Sequence, residues 1–325
     1  MSTTTISMEP SPVVCAGVIV ADHISSPIHH IPEPGELVAA DRLVVELGGC
    51  ASNVAMNLRK MGIRPSICGR VGNDLFGRMI MNILRENGVL VSSLKLDEEE
   101  ITSQTLILNV KDQDRRFVHC FGANRNLALE DLDRAVISRP KVLYLGGYLI
   151  LPGLDPKQLG ERLEWLRGRG TRIVLDVATP GPADYLKALD PILPHVDVFL
   201  PNTDEARLIL GESDPVTQAE TFHDLGASRV VITLGKEGAV AVSDQLRVKL
   251  GAFPVEFVDG TGGGDAFDAG YIAGLIEGRD ERECLTLASA LGASCVRSIG
   301  TTAGVFKRSE ADAFIREHKL SIEPL

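Results

Sequence analysis

Residues 258–270 read Val-Asp-Gly-Thr-Gly-Gly-Gly-Asp-Ala-Phe-Asp-Ala-Gly. Three consecutive glycines are costly in backbone entropy, and a folded chain keeps them where the backbone must approach a partner closely. After them Phe267, Tyr271 and Leu275 follow at a four-residue spacing, which predicts one face of a helix. Gly262–Gly264 would then lie where a loop enters a helix, and the unpaired N–H groups and dipole of such an end attract anions.

Asp265 is expected in the first turn of that helix, directly after the glycines. A carboxylate beside an anion site is the arrangement that phosphoryl transfer to a hydroxyl group requires. The alternative is that Asp265 only caps a helix behind a flexible loop. A short motif of this kind leaves both interpretations open, and the rest of the chain has to distinguish them.

The composition limits the kinds of partner that the chain can bind. Its 325 residues are 44% hydrophobic and 24% charged, as in a soluble globular protein, and they can bury a full core. A net charge of −11 argues against a nucleic-acid surface, and no apolar run approaches the roughly 18 residues of a membrane span. Six scattered cysteines without a CxxC pair predict free thiols in a reducing cytoplasm. Residues 1–12 lack the features of a signal peptide and are expected to form a disordered tail.

The region from residue 129 to residue 234 alternates helical and strand patterns. Such alternation predicts a three-layer α/β fold with a doubly wound, mostly parallel sheet, and we expect one main domain over residues 13–325. The apolar run at 13–20 predicts a strand of this sheet that is buried on both faces. It would deliver Asp22 to the carboxyl edge of the sheet, where ligands bind in open α/β sheets. The alternative for Asp22 is an ordinary position in a turn.

Two segments, at about 27–47 and 101–121, fall outside this alternation. Prolines and a glycine interrupt the first segment before a strand-like end at 43–47. The second segment predicts a β-hairpin with a polar turn at 111–116. Together the two segments, called the lid here, are expected to form a small antiparallel sheet that projects from the main domain.

A second stretch rich in small residues, Gly-Gly-Cys-Ala-Ser-Asn at 48–53, lies between the lid segments. Small residues let the backbone approach a ligand, and the amide of Asn53 can both donate to and accept from hydroxyl groups. An amphipathic helix is predicted over 54–61, with Gly62 after its end. The stretch is therefore a second candidate for ligand binding.

The two stretches resemble the signature motifs of one family, the PfkB or ribokinase-like carbohydrate kinases. Residues 48–55, with the glycines that follow them, match the family's N-terminal pattern in spacing. Residues 259–270 resemble its D-T-x-G-A-G-D-x-F-x-x-G motif, with Gly260 and Gly263 in place of the usual Thr and Ala. Residues 202–205 resemble its N-x-x-E motif and residues 233–238 its nucleotide loop, so the resemblance spans about residues 13–304.

The resemblance implies an ATP-dependent kinase that phosphorylates a hydroxymethyl group of a small sugar. Asp265 would be the general base for the attacking hydroxyl. The N–H groups of Gly262–Gly264 would stabilise charge on the transferring phosphoryl group. By the same resemblance, Asp22, Gly49 and Asn53 would bind the sugar.

The cofactors that the resemblance implies are ATP, Mg²⁺ and a monovalent cation such as K⁺. Glu205 would hold Mg²⁺ through water, whereas spacing alone makes the pair Asn202 and Glu205 more typical of a helix N-terminus. The ATP site would be lined by Asn202, Thr233, Gly235 and Gly238. The monovalent-cation site would be formed by Asp259 and Thr261, with main-chain oxygens near Cys295, Ser298 and Gly300.

The chain departs from ribokinase at the expected sugar site. Val20 and Cys50 stand where ribokinase has Asn and Lys, and residues 145–148 lack the Glu that ribokinase uses. A site that loses polar partners rejects the hydroxyl groups they served, and these departures count against ribose as the sugar. Arg115 and Arg116, in the hairpin turn, would meet a phosphorylated substrate or simply be solvated.

Other functions remain open at this point. A nucleoside kinase on the same scaffold is disfavoured by the few lid aromatics, Phe117 and Phe121. A non-catalytic sugar-binding relative is disfavoured by the retention of Asp265 and the glycines. A Rossmann dehydrogenase would need a G-x-G-x-x-G after the first strand, and none follows it. In ribokinase-like proteins lid strands cover the sugar and in some pair into a dimer, so a homodimer through the lid is expected.

Overall fold

The computed structural model of the chain describes residues 11–111, 113 and 116–325. Residues 1–10 of the expected disordered tail lie outside that part. Its last two residues are folded, because Ser11 is buried and the Pro12 carbonyl accepts hydrogen bonds from the N–H groups of Lys141 and Val142 at 2.9 and 3.1 Å. The folded body therefore includes two residues that were expected in the tail.

Strands and helices alternate along most of the described chain. Their bounds, in chain order, are β1 (Val13–Gly17), β2 (Val20–Ser25), β3 (Leu43–Gly48), α1 (Cys50–Lys60), β4 (Ser66–Gly72), α2 (Leu75–Glu86), β5 (Leu90–Asp97), β6 (Gln104–Leu108), β7 (Arg116–Cys120), α3 (Leu129–Ala135), β8 (Val142–Gly146), α4 (Pro156–Arg167), β9 (Arg172–Leu175), α5 (Leu186–Leu189), β10 (Val198–Phe199), α6 (Thr203–Leu210), α7 (Pro215–Asp224), β11 (Arg229–Thr233), β12 (Ala239–Ser243), β13 (Arg247–Leu250), α8 (Gly263–Glu277), α9 (Glu281–Cys295), α10 (Arg308–Glu317) and β14 (Ile322–Pro324).

Within the described residues, ten strands form one sheet in the order β14-β13-β12-β11-β10-β9-β8-β1-β4-β5. Neighbouring strands from β11 to β5 are parallel, and those from β11 to β14 are antiparallel. The chain builds outward from β1 to β5 and then in the opposite direction from β8, so the order reverses between β1 and β8. The predicted doubly wound, mostly parallel sheet is confirmed, and such a reversal is where ligands bind in this class of fold.

Helices cover both faces of this sheet. Val13 and Cys15 of β1 belong to one core with α1, α2, α8 and α9, whereas Val14 and Ala16 belong to a second core with α3, α4, α6 and α7. Burial on both faces explains why the strand sequence is a continuous apolar run. The three-layer architecture is therefore confirmed. None of the helices in the described residues has the length and apolar character needed to cross a membrane.

The sequence patterns do not predict two strands, β5 and β14, which lie at the two edges of the large sheet. An edge strand packs against fewer neighbours, so its apolar pattern is weaker than that of a central strand. The first helix also begins earlier than predicted, at Cys50 rather than at residue 54. Gly49 precedes it with a φ of 93°, a conformation that glycine adopts readily.

The strand predicted over residues 13–20 is wrong in its second half. It ends at Gly17, whose φ is 130°, and a side chain at this position would collide with the carbonyl oxygen of Gly146. The chain leaves the large sheet there, and β2 joins a separate sheet. Asp22 therefore lies within a strand of the lid rather than at the end of a core strand.

In the described part of the chain, the lid is a four-stranded sheet in the order β3-β2-β6-β7. The predicted hairpin is present, because β6 pairs antiparallel with β7, and β2 pairs antiparallel with β3. The central pair, β2 and β6, is parallel, so the sheet is mixed rather than antiparallel. A parallel pair needs a long crossover, which is supplied here by α1, β4, α2 and β5. The first lid segment also begins earlier than residue 27, at Val20.

The strand register gives the lid two distinct faces. The inner face carries Asp22, together with its lateral neighbours Thr105 and Glu46, and the apolar Ile24 and Ile107. The outer face carries four apolar side chains that are more than one-third exposed, namely Leu43, Val45, Leu106 and Val118. Arg116 pairs with Leu108 on this outer face and bonds to Gln113, while Arg115 lies outside the described residues.

Candidate active site

The glycine run enters α8 as predicted. Gly262 precedes the helix with a φ of 76°, and a side chain there would collide with the backbone of Thr301. The N–H of Gly263 closes a turn onto the Gly260 carbonyl at 3.3 Å. A side chain placed on Gly264 would meet no atom within 4 Å, so open space lies beside the first turn of α8. Since the first N–H groups of a helix have no partner within it, this space suits an anion.

Asp265 lies in the first turn of α8 and contacts α1. Its Oδ2 accepts a hydrogen bond from Nδ2 of Asn53 at 2.8 Å. Burial raises the pKa of the Asp265 carboxyl, and hydrogen bonds with Asn53 and Cys50 partly oppose that shift. The two stretches that the sequence singled out are therefore joined by a direct contact between a carboxylate and an amide.

Asp22 approaches the same region from the lid. It is 7% exposed and packs so closely on β3 that a side chain at Gly48 would collide with its carboxylate. Burial raises the pKa of Asp22 to about 6, and the charges of Asp265 and Glu46 add to the shift, while a hydrogen bond with Thr105 opposes it. Gly49 has no room for a side chain either, because one would collide with the Val18 carbonyl. Asp22, Gly49, Asn53 and Asp265 thus line one region between the lid and the main domain.

Asp22→Asn is expected to stabilise the protein at pH 8 by about 3 kcal/mol, because a shift of roughly two pKa units corresponds to that free energy. The folded-state pKa of Asp22 is raised, so the folded protein favours the protonated carboxyl. The stability that comes with this proton is complete below the unfolded pKa of Asp22 and is lost as pH rises through about 6. Urea unfolding should give a difference that is small at pH 4 and grows towards pH 8. Asp190→Asn, at an exposed side chain, should show no such trend. A pH-independent difference between Asp22→Asn and the parent would contradict the prediction.

Asn202 and Glu205 form a reciprocal cap at the start of α6. Oδ1 of Asn202 accepts from the N–H groups of Asp204 and Glu205, and the Glu205 carboxylate accepts from the Asn202 N–H at 2.9 Å. The helix-terminus interpretation of the spacing is therefore correct in its geometry. Burial raises the pKa of Glu205 to about 7, and the Asp265 charge adds to this shift. A carboxylate so placed would be stabilised by a nearby cation.

The residues expected at the nucleotide lie at the ends of neighbouring strands. Asn202 forms a parallel bridge with Thr233, the last residue of β11. Gly235 and Gly238 occupy the turn between β11 and β12 with φ values of 58° and 93°. A side chain at Gly238 would collide with the Leu250 carbonyl, so the turn requires glycine there.

Asp259 and Thr261 lie in the loop before α8, against the segment that follows α9. Oδ1 of Asp259 accepts from the backbone N–H and the hydroxyl of Thr261 at 3.0 and 2.7 Å, and Oδ2 accepts from the Gly300 N–H at 3.3 Å. The Cys295 thiol contacts the Thr261 carbonyl. The residues named for the monovalent-cation site are thus neighbours in space.

Three buried polar side chains at the site were not singled out from the sequence. The Tyr144 hydroxyl, on β8, donates to Oδ2 of Asp268 at 3.0 Å and lies 3.4 Å from Oδ2 of Asp176. Burial raises the pKa values of both carboxyls well above the usual range, and the charges of Asp265 and Glu205 add to both shifts. Asp176 follows β9 at the carboxyl edge of a parallel sheet, a position that could have identified it. Asp268 is a charged residue inside an apolar helix, which is a similar signal.

A cavity of about 600 Å³ lies between the lid and the loop before α8. Its lining includes Ser25, Arg42 and Lys111 from the lid side, and Phe257 and Asp259 from the loop. Asp265 and Asn53 are not among its lining residues. The hydrogen-bonded groups identify the reacting centre better than this volume, because catalysis depends on where polar groups converge.

Comparison with known proteins gives the family. A model described as pfkB family carbohydrate kinase matches residues 11–308. The ribokinase of Haemophilus influenzae is 27% identical over 310 residues, covering 93% of this chain and 97% of that protein. The nucleoside kinase of Methanothermobacter thermautotrophicus is 27% identical over 287 residues, covering 87% of this chain and 89% of that protein.

A solved structure gives the same fold. The structure of Arabidopsis thaliana ribokinase complexed with ribose and ATP has a TM-score of 0.80 at 22% identity, covering 94% of this chain and 99% of that chain. The expected enzyme class, an ATP-dependent carbohydrate kinase, is confirmed together with the fold. The chain belongs to the pfkB family of carbohydrate kinases.

Proposed function

We propose that the protein transfers the γ-phosphoryl group of ATP to a hydroxymethyl group of a small sugar. The observation that carries this proposal is the position of Asp265, which lies beside the open first turn of α8 and bonds to Asn53. A base, an anion site and a polar amide then converge on one point. Phosphoryl transfer depends mainly on such positioning and on electrostatic stabilisation.

Asp265 would accept the proton of the attacking hydroxyl group. The pKa of Asp265 is raised towards neutral pH, and a carboxylate with a higher pKa is a more effective base towards a hydroxyl group. The N–H groups of Gly262, Gly263 and Gly264 would stabilise negative charge on the phosphoryl oxygens. Asp22, Gly49 and Asn53 would orient the acceptor, with the lid excluding water that would otherwise compete for the phosphoryl group.

The ATP and metal sites are proposed on the same reasoning. Asn202, Thr233, Gly235 and Gly238 would line the ATP site. Glu205 would hold Mg²⁺ through water, and bound Mg²⁺ would neutralise phosphate charge. Burial raises the pKa values of Glu205 and Asp176, and the charge of Asp265 adds to both shifts, so a divalent cation beside Glu205 and Asp176 would relieve this repulsion. Asp259 and Thr261 would form the monovalent-cation site, for which K⁺ is the proposed ion.

The experiment that tests the proposal is a coupled assay of ADP formation over pentoses, hexoses, acidic keto sugars and nucleosides. The relatives act on different acceptors by name, among them ribose and nucleosides, so the panel has to span these classes. Turnover with a sugar, abolished when its hydroxymethyl group is replaced by methyl, is expected. The absence of ADP formation with every acceptor would favour a non-catalytic sugar-binding protein.

A nucleoside kinase is the second candidate, and one observation favours it. Phe117 and His119 lie on the inner face of the lid, because their partners Ile107 and Thr105 share that face with Asp22. Aromatic rings at such a position can stack on a base. Preference for nucleosides over free sugars in the same assay would establish this alternative.

We infer that the outer face of the lid pairs with a second copy of the chain. Leu43 and Val118 are 76% and 64% exposed, and an apolar sheet face of this kind is usually covered. For location, the six cysteines are free, which fits a reducing compartment such as the cytoplasm.

Val118→Asp is expected to convert the dimer to a monomer. A charge buried in an apolar interface should weaken the dimer by roughly 2 kcal/mol or more, about 30-fold in Kd. Size-exclusion chromatography with light scattering over a dilution series measures this change. Ile137→Asp, at a main-domain side chain that is 77% exposed, should remain dimeric. A parent protein that is monomeric at all concentrations would refute the interface.

A further inference from the structure

Cys50 brings a thiol between two carboxylates at the proposed active site. One donor atom each from Cys50, Asp176 and Asp265 lies within 4.8 Å of the others. The Cys50 thiol forms hydrogen bonds with both carboxyls. Burial raises the pKa values of these carboxyls, and the hydrogen bonds with the thiol lower them in part. The three residues come from the start of α1, the end of β9 and the first turn of α8.

The surrounding backbone holds these donors in place. A side chain at Gly146 would lie 2.8 Å from Cβ of Cys50, so the end of β8 closes one side of the thiol. Asp176 is buried, and its Oδ2 accepts from the Gly147 N–H at 3.3 Å. Donors fixed by rigid elements lose little conformational entropy when they bind a ligand.

A separate feature of this cluster indicates a ligand. Asn53 lies one helical turn after Cys50, is 2% exposed, and donates from Nδ2 to the Asp265 carboxylate. Its Oδ1 is buried and has no hydrogen-bond partner among the described residues. A buried oxygen that stays unsatisfied destabilises the fold, because it has lost its hydrogen bonds to water. A cation or a donor group at the cluster would satisfy it.

We propose that Cys50, Asp176 and Asp265 form a binding site for a borderline-soft divalent ion of the zinc class, and that this ion inhibits the kinase. Thiolate and carboxylate are zinc ligands, whereas Mg²⁺ takes oxygen donors and leaves a thiolate unused. Tetrahedral Zn–S and Zn–O bonds separate donors by about 3.4–3.7 Å. The three donors lie within 4.8 Å of one another, so they have to close by roughly one ångström at most. Asn53 Oδ1 or water would take the fourth position.

The binding step is balanced in charge and protons. The Cys50 thiol releases its proton to solvent, and the thiolate sulfur forms the bond to the ion without a change in oxidation state. Asp265 donates a lone pair of the ligating oxygen to the ion, and this oxygen can then no longer accept the proton of the acceptor hydroxyl. Inhibition in this form rests on the proposed function of Asp265, whereas ion binding does not.

The test is a titration of the full-length protein with Co²⁺, followed by displacement with Zn²⁺. Thiolate ligation of Co²⁺ gives a charge-transfer band in the near ultraviolet, which carboxylates alone do not give. We expect the band at one ion per chain, its loss on addition of Zn²⁺, and its absence in Cys50→Ser. Cys120→Ser, at an exposed lid thiol, should keep the band and the activity. No band in the parent protein, or an equal band in Cys50→Ser, would overturn the proposal.

A second variant and an activity measurement separate this proposal from the proposed function. Asp176→Asn should weaken Co²⁺ binding about 100-fold, with circular dichroism checking that the variant is folded. At saturating Mg²⁺ and buffered free Zn²⁺, turnover of the parent should fall at the Zn²⁺ concentration that displaces Co²⁺. If no acceptor supports turnover but the band behaves as expected, the site stands and the proposed function fails. If Zn²⁺ binds through Cys50 without reducing turnover, the inhibitory role is refuted.

Discussion

Asp265→Asn is expected to lower kcat by about 10²–10⁴-fold, the range that a positioned general base contributes. The asparagine keeps the shape of the side chain and an oxygen that can accept from Asn53 Nδ2, so the contact between α1 and α8 should persist. It lacks a group that can take the proton of the acceptor. Steady-state kinetics with the best acceptor from the panel measures the effect.

Two further measurements make this result specific to the base. The thermal unfolding temperature of Asp265→Asn at pH 8 should be no lower than that of the parent protein, because a buried carboxylate with a raised pKa is replaced by a neutral amide. Asp190→Asn, at an exposed residue after α5, should leave kcat unchanged. Full turnover by Asp265→Asn would exclude Asp265 as the base.

Gly264→Ala is expected to raise stability and lower activity at the same time. Alanine within a helix is favoured over glycine by about 0.5–1 kcal/mol, and no atom outside the first turns of α8 lies within 4 Å of the new methyl group. The methyl group would occupy the open space proposed for the phosphoryl group. A displacement of about 1 Å there should reduce kcat roughly 10²-fold. Urea unfolding and steady-state kinetics on the same preparation give both quantities.

Two other glycines provide the comparison for Gly264→Ala. Gly168→Ala, next to α4 and with a φ of −61°, should alter stability alone and leave kcat unchanged. Gly262→Ala should be destabilised, because its φ of 76° costs an L-residue about 1–2 kcal/mol and its side chain would meet Thr301. Unchanged kcat in Gly264→Ala would show that the first turn of α8 does not hold the phosphoryl group.

The buried acids place a constraint on the protein before substrates bind. Burial raises the pKa values of Asp176, Glu205, Asp265 and Asp268, and the charge of Asp265 adds to the shifts of the other three. Such a cluster destabilises the fold at neutral pH, and proteins often tolerate this cost at functional sites. A bound cation would remove part of the repulsion. The same charge surplus is what makes the Cys50 cluster attractive to a zinc-class ion.

Most of the main domain could be predicted from local patterns. The alternation of helices and strands over residues 129–234 and the start of a helix at Gly262–Gly264 are correct, since caps and periodicity depend on neighbouring residues alone. The lid was predicted with less success. Its first strand is the polar continuation of a buried strand, and only Gly17 marks the point where the chain changes sheet. Its parallel central pair could not be predicted, because pairing across a long crossover leaves no local pattern.

The amino-acid sequence alone determined the glycine-bearing entry to α8, the position of Asp265 in its first turn and the alternation that builds the large sheet. These follow from backbone dihedrals and from side-chain periodicity, which act over a few residues. Only the tertiary structure decided that Asp22 reaches the site from the lid, and that Cys50 and Asp176 stand beside Asp265. Strand order decides which distant residues meet, and it is set by packing of the whole chain. The glycine run therefore indicated the class of chemistry, while the fold selected the side chains that surround it.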